Sequence, residues 1–418
     1  MGIVLKNLKN SVQAILLPRK ESKTVVLFAI FSVGSRQETK EKQGIAHFCE
    51  HLFFKGSKKW PTTLELSAFI EGLGGQFNAF TDKEMIGFYV RLPSWHLEAG
   101  CQFLSELIQN PLFLEKDIEV ERNVIIEELN MYEDNPSQKI DDLIDQLFYG
   151  QSPLGWPIIG SKETILGLKK ADFENFFNNF FIAENLQLAV TGNFQFDRVT
   201  ELLQKYFGSL RKGQKQGVQR IGFQKTPAFL HRQKATEQTH LALGFPGFAF
   251  NDPRRLKSKV LATLLAGGMS SRLFIEIREK LGLCYYIYAR SVNLLDSGQF
   301  LIFAGVDNKR LDLALKSLLR ELEKIKEGDL QEEECQRAKE MFAGKLLIRL
   351  EDLEELANFY LKAALYKEPL KELPEILKEI EAISRQDLIA LAREVFDEKK
   401  IYLATIGPKH SFYLNCRR

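Results

Sequence analysis

The chain has 418 residues, too many for one ordinary hydrophobic core, and this length predicts two domains of about 200 residues each. Hydrophobic residues make up 45% and charged residues 27%, which is the composition of an ordinary globular protein. The net charge is only +2 and the two signs are interspersed along the chain. Charge therefore gives no reason to expect a nucleic acid or a membrane surface as a partner.

The sequence indicates neither a targeting segment nor a disulfide framework. The N-terminal residues lack a basic stretch followed by an apolar one, and no apolar run approaches the roughly 18 residues that span a bilayer. The five cysteines are scattered and form no Cys-x-x-Cys pair. We therefore expect a soluble protein in the reducing cytoplasm.

The first half of the chain predicts a strand, a helix, a strand pair and two further helices, in that order. Alternating apolar residues and a polar turn predict strands over residues 23–31, 75–80 and 86–92, with a helix containing His47 after the first strand. Amphipathic helices are predicted over residues 97–108 and 116–132, and a helix and a strand over residues 173–181 and 186–190.

The second half repeats this order of elements. Strands are predicted over residues 240–245, 285–291, 299–306 and 400–406, and helices over residues 253–265, 310–326, 330–350 and 385–395. Elements in matching order indicate an internal duplication. We predict an α+β fold of two homologous domains, each a mostly antiparallel sheet packed with helices. The first domain would span residues 1–210, a Gly-, Lys- and Gln-rich linker residues 211–228, and the second domain residues 229–418.

The most informative motif is His47-Phe48-Cys49-Glu50-His51. On a helix, His47 and His51 lie one turn apart on the same face, so both imidazoles can bind one zinc ion. Glu50 lies on that face too, where its carboxylate can take a proton from a water at the metal. The pattern predicts a zinc-dependent hydrolase; two helical histidines that bind no metal are the alternative.

A catalytic zinc site needs a third protein ligand besides two histidines. Candidates lie on the predicted helix over residues 116–132, where Glu121 and Glu128 recur seven residues apart on a stripe that otherwise packs inward. These glutamates could instead be surface acids. The periodicity also does not exclude Glu127.

Four segments together resemble the pitrilysin/insulinase (inverzincin) family of zinc metallopeptidases, in its processing-peptidase-like branch. The resemblance runs over nearly the whole chain and includes residues 44–52, 74–81, 121–136 and 272–286. It implies one zinc ion per chain, with Glu128, 77 residues after His51, as the third ligand and Glu121 as a neighbour supporting the ligands. It also implies a zinc endopeptidase in which Glu50 is the general base.

The resemblance implies a substrate-binding edge strand at Gly75, Phe77, Asn78, Ala79 and Thr81. An extended peptide could add to such a strand through main-chain hydrogen bonds. An ordinary buried hairpin strand would fit the same residues. The family comparison further implies a closed chamber that admits extended or unfolded peptides.

In the second half, Arg278 and Tyr285 resemble the family's Arg/Tyr pair, which would donate hydrogen bonds near the scissile carbonyl. In the long single-chain members of this family, the zinc domain faces the last of four domains, which carries the Arg/Tyr pair. Since this chain has only two domains, the resemblance implies a homodimer whose sites are shared across subunits. Two alternatives stay open: a non-catalytic scaffold subunit, and an active subunit paired with an inactive paralogue.

Overall fold

A computed structural model describes residues 2–225 and 228–409 of the chain. These residues form two compact units. The first unit takes the segments up to Asn130, Pro157–Gln219 and Ile348–Glu372, and the second takes Met131–Trp156, Arg220–Leu347 and the residues from Leu373 onward.

Both units combine one sheet with several helices. The strands are β1 Val4–Asn7, β2 Gln13–Pro18, β3 Thr24–Phe31, β4 Gln76–Thr81, β5 Ile86–Pro93, β6 Leu186–Gly192, β7 Ala228–Gln233, β8 Gln238–Pro246, β9 Cys284–Asn293, β10 Gly298–Asp307 and β11 Tyr402–Gly407. The helices are α1 Ile45–Phe53, α2 Thr63–Glu71, α3 Leu97–Gln109, α4 Glu115–Asp134, α5 Pro136–Tyr149, α6 Lys162–Gly167, α7 Lys170–Phe180, α8 Phe196–Phe207, α9 Arg255–Ala266, α10 Leu311–Glu327, α11 Glu332–Leu350, α12 Leu353–Leu365, α13 Leu373–Glu381 and α14 Arg385–Val395.

The two sheets share one topology. The first has the order β1-β2-β6-β3-β5-β4, and only the pair β2/β6 is parallel. The second has the order β7-β11-β8-β10-β9, and only the pair β7/β11 is parallel. Strand order and direction therefore correspond from β2 through β4 and from β7 through β9. The predicted α+β class, with two domains built alike, is confirmed.

The predicted elements match the observed ones to within a few residues, but several elements went unpredicted. The predicted strand over residues 75–80 is shifted by one position and begins at Gln76. Strands β1, β2 and β7 and helices α2, α5, α6, α8, α12 and α13 had no prediction. Of these, α5 and α12 matter most, because they change the division of the chain.

Helix α5 comes from the first half of the sequence but packs in the second unit. Asn135 caps it and Pro136 is its first residue, so the backbone breaks between α4 and α5. Its buried residues Ile144 and Phe148 join a core cluster with Tyr402 of β11. The Phe148 and Tyr402 rings stack with centroids 4.0 Å apart.

Helix α12 is the reciprocal case: it comes from the second half of the sequence but packs in the first unit. It packs on β3 and β6 and buries Leu353, Ala357 and Leu361. The hydroxyl of Thr191 on β6 donates to the Leu353 carbonyl at 2.9 Å.

The compact units thus depart from the predicted domain ranges in segments 131–156 and 348–372. The predicted linker, residues 211–228, is irregular over most of its length but ends in the first residue of β7. Residues 211–225 contain neither helix nor strand, and the units divide between Gln219 and Arg220. Residues 226 and 227 lie outside the described part, and β7 begins at Ala228.

Cys49, Cys101, Cys284 and Cys335 are all buried free thiols, and Cys416 lies outside the described residues. Among the helices described, none is both long and apolar enough to cross a lipid bilayer.

Because α12 covers the first sheet, truncating one of its buried side chains should destabilise the fold. We expect Leu361→Ala to lower the free energy of unfolding by about 2–5 kcal/mol, since Leu361 is fully buried and the change leaves a cavity. The measurement is urea unfolding followed by circular dichroism. The control is Leu347→Ala, at a helix position that is 40% exposed, which should change the free energy of unfolding by less than about 0.5 kcal/mol. If the two variants had the same free energy of unfolding, the packing role of α12 would be contradicted.

Candidate metal centre

Helix α1 separates an apolar face from a polar one. Phe48, Cys49 and Leu52 are buried in the core, whereas His47 and His51 are only partly buried. The two imidazole centroids lie 4.6 Å apart, as expected for residues one helical turn apart.

The N-terminus of α1 is held by a side chain from outside the helix. Gly44 at the N-cap adopts the left-handed conformation at φ 87° and offers no side chain for capping. The buried carboxylate of Glu38 instead accepts hydrogen bonds from the Gly44 and Ala46 amides, each at 2.9 Å. Burial raises the pKa of Glu38 to about 8, although these two hydrogen bonds and the charge of Lys83 lower it. Such a cap satisfies amides that the helix itself leaves open.

Three side chains converge on one gap. The Nε2 atoms of His47 and His51 lie 3.8 and 3.7 Å from Oε2 of Glu128 on α4. The potential ligand atoms of these residues all lie within 4.8 Å of one another. A tetrahedral zinc ion with bonds of about 2.0–2.1 Å separates its ligand atoms by about 3.4 Å, so the three residues fit that ion closely.

The electrostatics of the histidines suit metal binding. Burial, together with the charge of His51, lowers the pKa of His47 to about 3, so this imidazole is neutral and can donate a lone pair. Its Nδ1 is buried and has no hydrogen-bond partner in the described parts of the chain. Burial would lower the pKa of His51 as well, but the hydrogen bond and charge of Glu121 raise it overall.

Glu121 orients His51. Its carboxylate accepts a hydrogen bond from Nδ1 of His51 at 2.8 Å, so Nε2 presents its lone pair to the gap. Lys55 forms an ion pair with the other oxygen of Glu121. Burial pushes the pKa of Glu121 upward, but His51 and Lys55 together bring it below its usual value. The carboxylate therefore stays ionised and keeps His51 in the tautomer that a metal requires.

The structure distinguishes the three candidate glutamates on α4. Glu128 reaches the gap, Glu121 contacts His51 from behind, and Glu127 is exposed to solvent. Burial raises the pKa of Glu128 and the charge of Glu121 adds to the rise, although the charge of His51 lowers it.

Glu50 lies on the same helix and contacts the neighbouring strand. Its Oε2 accepts a hydrogen bond of 2.5 Å from the hydroxyl of Thr81, the last residue of β4. Burial raises the pKa of Glu50 despite this bond and the nearby His51, and the charge of Glu128 adds to the rise. A carboxylate with a raised pKa is suited to accept and return a proton.

Strand β4 is the edge strand of the first sheet, next to α1. Phe77 packs against Phe54, which directly follows α1, with ring centroids 5.5 Å apart, and Thr81 contacts Glu50 of α1. The N–H of Ala79 donates to the side chain of Asn78 at 2.9 Å. No other strand of the described first unit pairs with the outer edge of β4.

Gly75 precedes β4 and has a packing role. A Cβ at this position would collide with the side chains of Leu92 and Ile70, so only glycine fits between them. Among the predicted substrate residues, Gly75 is thus explained by local packing.

Arg278 and Tyr285 belong to the second unit. Arg278 lies in a π-helical segment, Phe274–Lys280, and Tyr285 lies on the edge strand β9. The guanidinium of Arg278 lies 4.6 Å from the Phe274 ring centroid and 5.8 Å from that of Tyr285. Tyr285 is 73% exposed, so its hydroxyl is available to a ligand.

Three features of the site were not predicted from the sequence. Glu38 gave no signal, because it lies outside any periodic segment. Lys55 follows His51 by four residues, but it lies beyond the end of α1, so helical spacing did not single it out. The contact of Thr81 with Glu50 required knowledge of how β4 packs on α1.

Two family models match the chain. The model described as "Insulinase (Peptidase family M16)" matches residues 14–162, which include His47, His51 and Glu128. The model described as "Peptidase M16 inactive domain" matches residues 167–342. The second half of the chain contains no His-x-x-Glu-His motif, in agreement with that description.

Two relatives and a solved structure each match 96–97% of this chain. A Bacillus subtilis protein named "Uncharacterized zinc protease YmxG" is 32% identical over 96% of this chain and 97% of its own length. A Rickettsia felis "Uncharacterized zinc protease" is 35% identical over 97% of each chain. The crystal structure of a protease from Helicobacter pylori has a TM-score of 0.91 at 24% identity, over 97% of this chain and 100% of that one, and shows a shared fold. With full-length relatives above 30% identity and both family models matched in order, the chain belongs to the insulinase family of peptidases, family M16.

Proposed function

We propose that this protein is a zinc-dependent endopeptidase that cleaves extended or unfolded peptides. One observation carries the proposal: His47, His51 and Glu128 converge on a gap of zinc-ligand dimensions, with Glu50 on the same helix. The names of the zinc-protease relatives support the choice of metal. The buried free thiols support a location in the cytoplasm.

In the proposed reaction His47, His51 and Glu128 hold one zinc ion. When bound there, the ion would polarise the scissile carbonyl and lower the pKa of the attacking water. Glu50 takes the proton from this water as its oxygen bonds to the carbonyl carbon. Glu50 then returns the proton to the leaving amine nitrogen as the C–N bond breaks. Glu121 and Lys55 keep the imidazole of His51 oriented throughout.

The substrate strand in this proposal is β4. An extended peptide would add to its outer edge, and the Ala79 N–H would exchange its bond to Asn78 for one to the peptide backbone. Recognition through the main chain needs an extended segment of substrate. In this proposal, a closed chamber around the site admits unfolded peptides and excludes folded proteins.

The partner in this proposal is a second copy of the chain. Arg278 and Tyr285 would stabilise the oxyanion in the site of the other subunit, which gives two shared sites per homodimer. This part rests on the family resemblance and on the exposure of Tyr285 beside Arg278.

The first prediction concerns the metal. Purified wild-type chain should contain close to one zinc ion, whereas His51→Ala and Glu128→Gln should lose most of it because each removes a ligand. Glu50→Gln should keep zinc and lose about 100- to 10,000-fold in kcat, because it removes only the base. Zinc content is measured by elemental analysis of folded protein. The matched control is Glu127→Gln, at the exposed neighbouring position; if Glu127→Gln lost zinc and Glu128→Gln kept it, the ligand assignment would be wrong.

The second prediction concerns the substrate. Unfolded peptides of tens of residues should be cleaved, and the same sequences in folded proteins should be spared. Ala79→Pro removes the N–H from an edge strand, where proline is tolerated, and should raise KM or abolish turnover while zinc is retained. Ala79→Ser, which keeps the N–H, is the control for the side-chain change. Equal rates on a native protein and its unfolded form, measured with quenched fluorescent substrates, would argue against the proposal.

The third prediction concerns the shared site. Glu50→Gln and Tyr285→Phe chains should each be impaired alone, and after subunit exchange a mixture should recover roughly a quarter of the wild-type sites. A mixed dimer has one site that combines an intact Glu50 with an intact partner Tyr285. Exchange is verified with differently tagged chains. If exchange occurs and the mixture stays inactive, Arg278 and Tyr285 do not act across subunits.

A further inference from the structure

Thr81 makes a contact that its position on the edge strand does not require. Its hydroxyl donates to Oε2 of Glu50 at 2.5 Å, and both side chains are partly buried. A carboxylate has two oxygens and a flexible stem, so a fixed donor on one oxygen limits how the other can point. The strand beside α1 thereby constrains the group to which we assign proton transfer.

The position of Thr81 is itself fixed by the turn that follows it. The amides of Ser35 and Arg36 donate to the carbonyls of Asp82 and Lys83 at 3.2 and 2.7 Å. This turn, joining β4 to β5, therefore cannot shift without breaking bonds to the segment before α1.

Glu84 anchors the same turn a second time. It is buried and forms an ion pair with Arg36, and its other oxygen accepts a hydrogen bond from the hydroxyl of Tyr366 at 2.6 Å. A buried charge with both of these partners is costly to displace. Because Thr81 lies only three residues before Glu84, anchoring the turn also restricts the movement of Thr81.

The segment that holds the turn also holds the helix. Residues 34–38 contain Ser35 and Arg36, which bind the turn, and Glu38, which caps α1. The end of the strand that carries Thr81 and the helix that carries Glu50 are therefore both held by hydrogen bonds to the same short segment, residues 34–38. Such shared anchoring is what a constant distance between the two side chains needs.

We propose that Thr81 is a positioning residue that holds one carboxylate oxygen of Glu50, so that the other oxygen faces the attacking water. This proposal rests on the endopeptidase function proposed above. It differs from a role in binding peptide: the main chain of β4 takes the peptide, and the Thr81 side chain serves the base. Loss of the hydroxyl therefore lowers kcat and leaves KM nearly unchanged.

The test compares Thr81→Val, which removes the hydroxyl at nearly the same size, with Thr81→Ser, which keeps it. We expect Thr81→Val to retain zinc and lose roughly 10- to 100-fold in kcat, with KM within about twofold of wild type. Thr81→Ser should recover most of the rate. Thr200→Val, where the hydroxyl donates to the Phe196 carbonyl within α8, is the matched control and should leave kcat unchanged.

A double-mutant cycle separates positioning from general damage. In the Glu50→Gln background, Thr81→Val should have little further effect on the residual rate, because the two residues act as one unit. Urea unfolding of the same proteins without metal gives a second readout of the coupling between Thr81 and Glu50.

The proposal is overturned if Thr81→Val keeps its kcat, if its loss lies in KM alone, or if Thr81→Ser is impaired as much as Thr81→Val. A zinc-loaded wild type that cleaves no peptide would overturn the endopeptidase function and this role together. In that case, any coupling between Thr81 and Glu50 in the free energies of unfolding would indicate a structural contact without a catalytic role. A cleaving wild type with a silent Thr81→Val would reject the positioning role alone.

Discussion

The candidate metal centre depends on how the short helix α1 is held at its N-terminus. Its N-cap glycine cannot satisfy the open amides, and the buried Glu38 carboxylate does so instead. A helix end left unsatisfied in the core would cost free energy and would be free to fray. With this end fixed, His47 and His51 have fixed heights along the helix axis. The Glu121–Lys55 pair then sets the orientation of the His51 imidazole.

The two units illustrate how one topology can serve different ends. Each ends in an edge strand, β4 or β9, after the same order and direction of strands. In the first unit the edge strand borders a helix with two histidines and a glutamate on its partly buried face. In the second unit the edge strand instead carries the exposed Tyr285 near Arg278. The fold therefore supplies an open strand edge, and side chains next to that edge determine its chemistry.

Local patterns were sufficient for some residues and not for others. The spacing of His47, Glu50 and His51 within one helix predicted their common face, because helical geometry depends only on nearby residues. Periodicity narrowed the third ligand to a few glutamates on α4, and the fold was needed to bring Glu128, and not Glu127, to the gap. The cap by Glu38 and the bond from Thr81 join segments with no common periodicity, so only tertiary packing reveals them. Helices α5 and α12 had no prediction, and their amphipathicity would not have said which sheet each of them covers.

The exchange of α5 and α12 has a consequence for how the protein is made. Translation proceeds from the N-terminus, and α12 emerges after every strand of the first sheet and most of the second half. Until then, the face of the first sheet that α12 buries has no cover and can attract chaperones or other nascent chains. The second unit obtains α5 early, but its sheet lacks the interior strand β11, which pairs with both β7 and β8, until the C-terminal region is made. Both units are therefore completed only late in synthesis, the first once the segment up to Glu372 has emerged and the second once β11 has followed it.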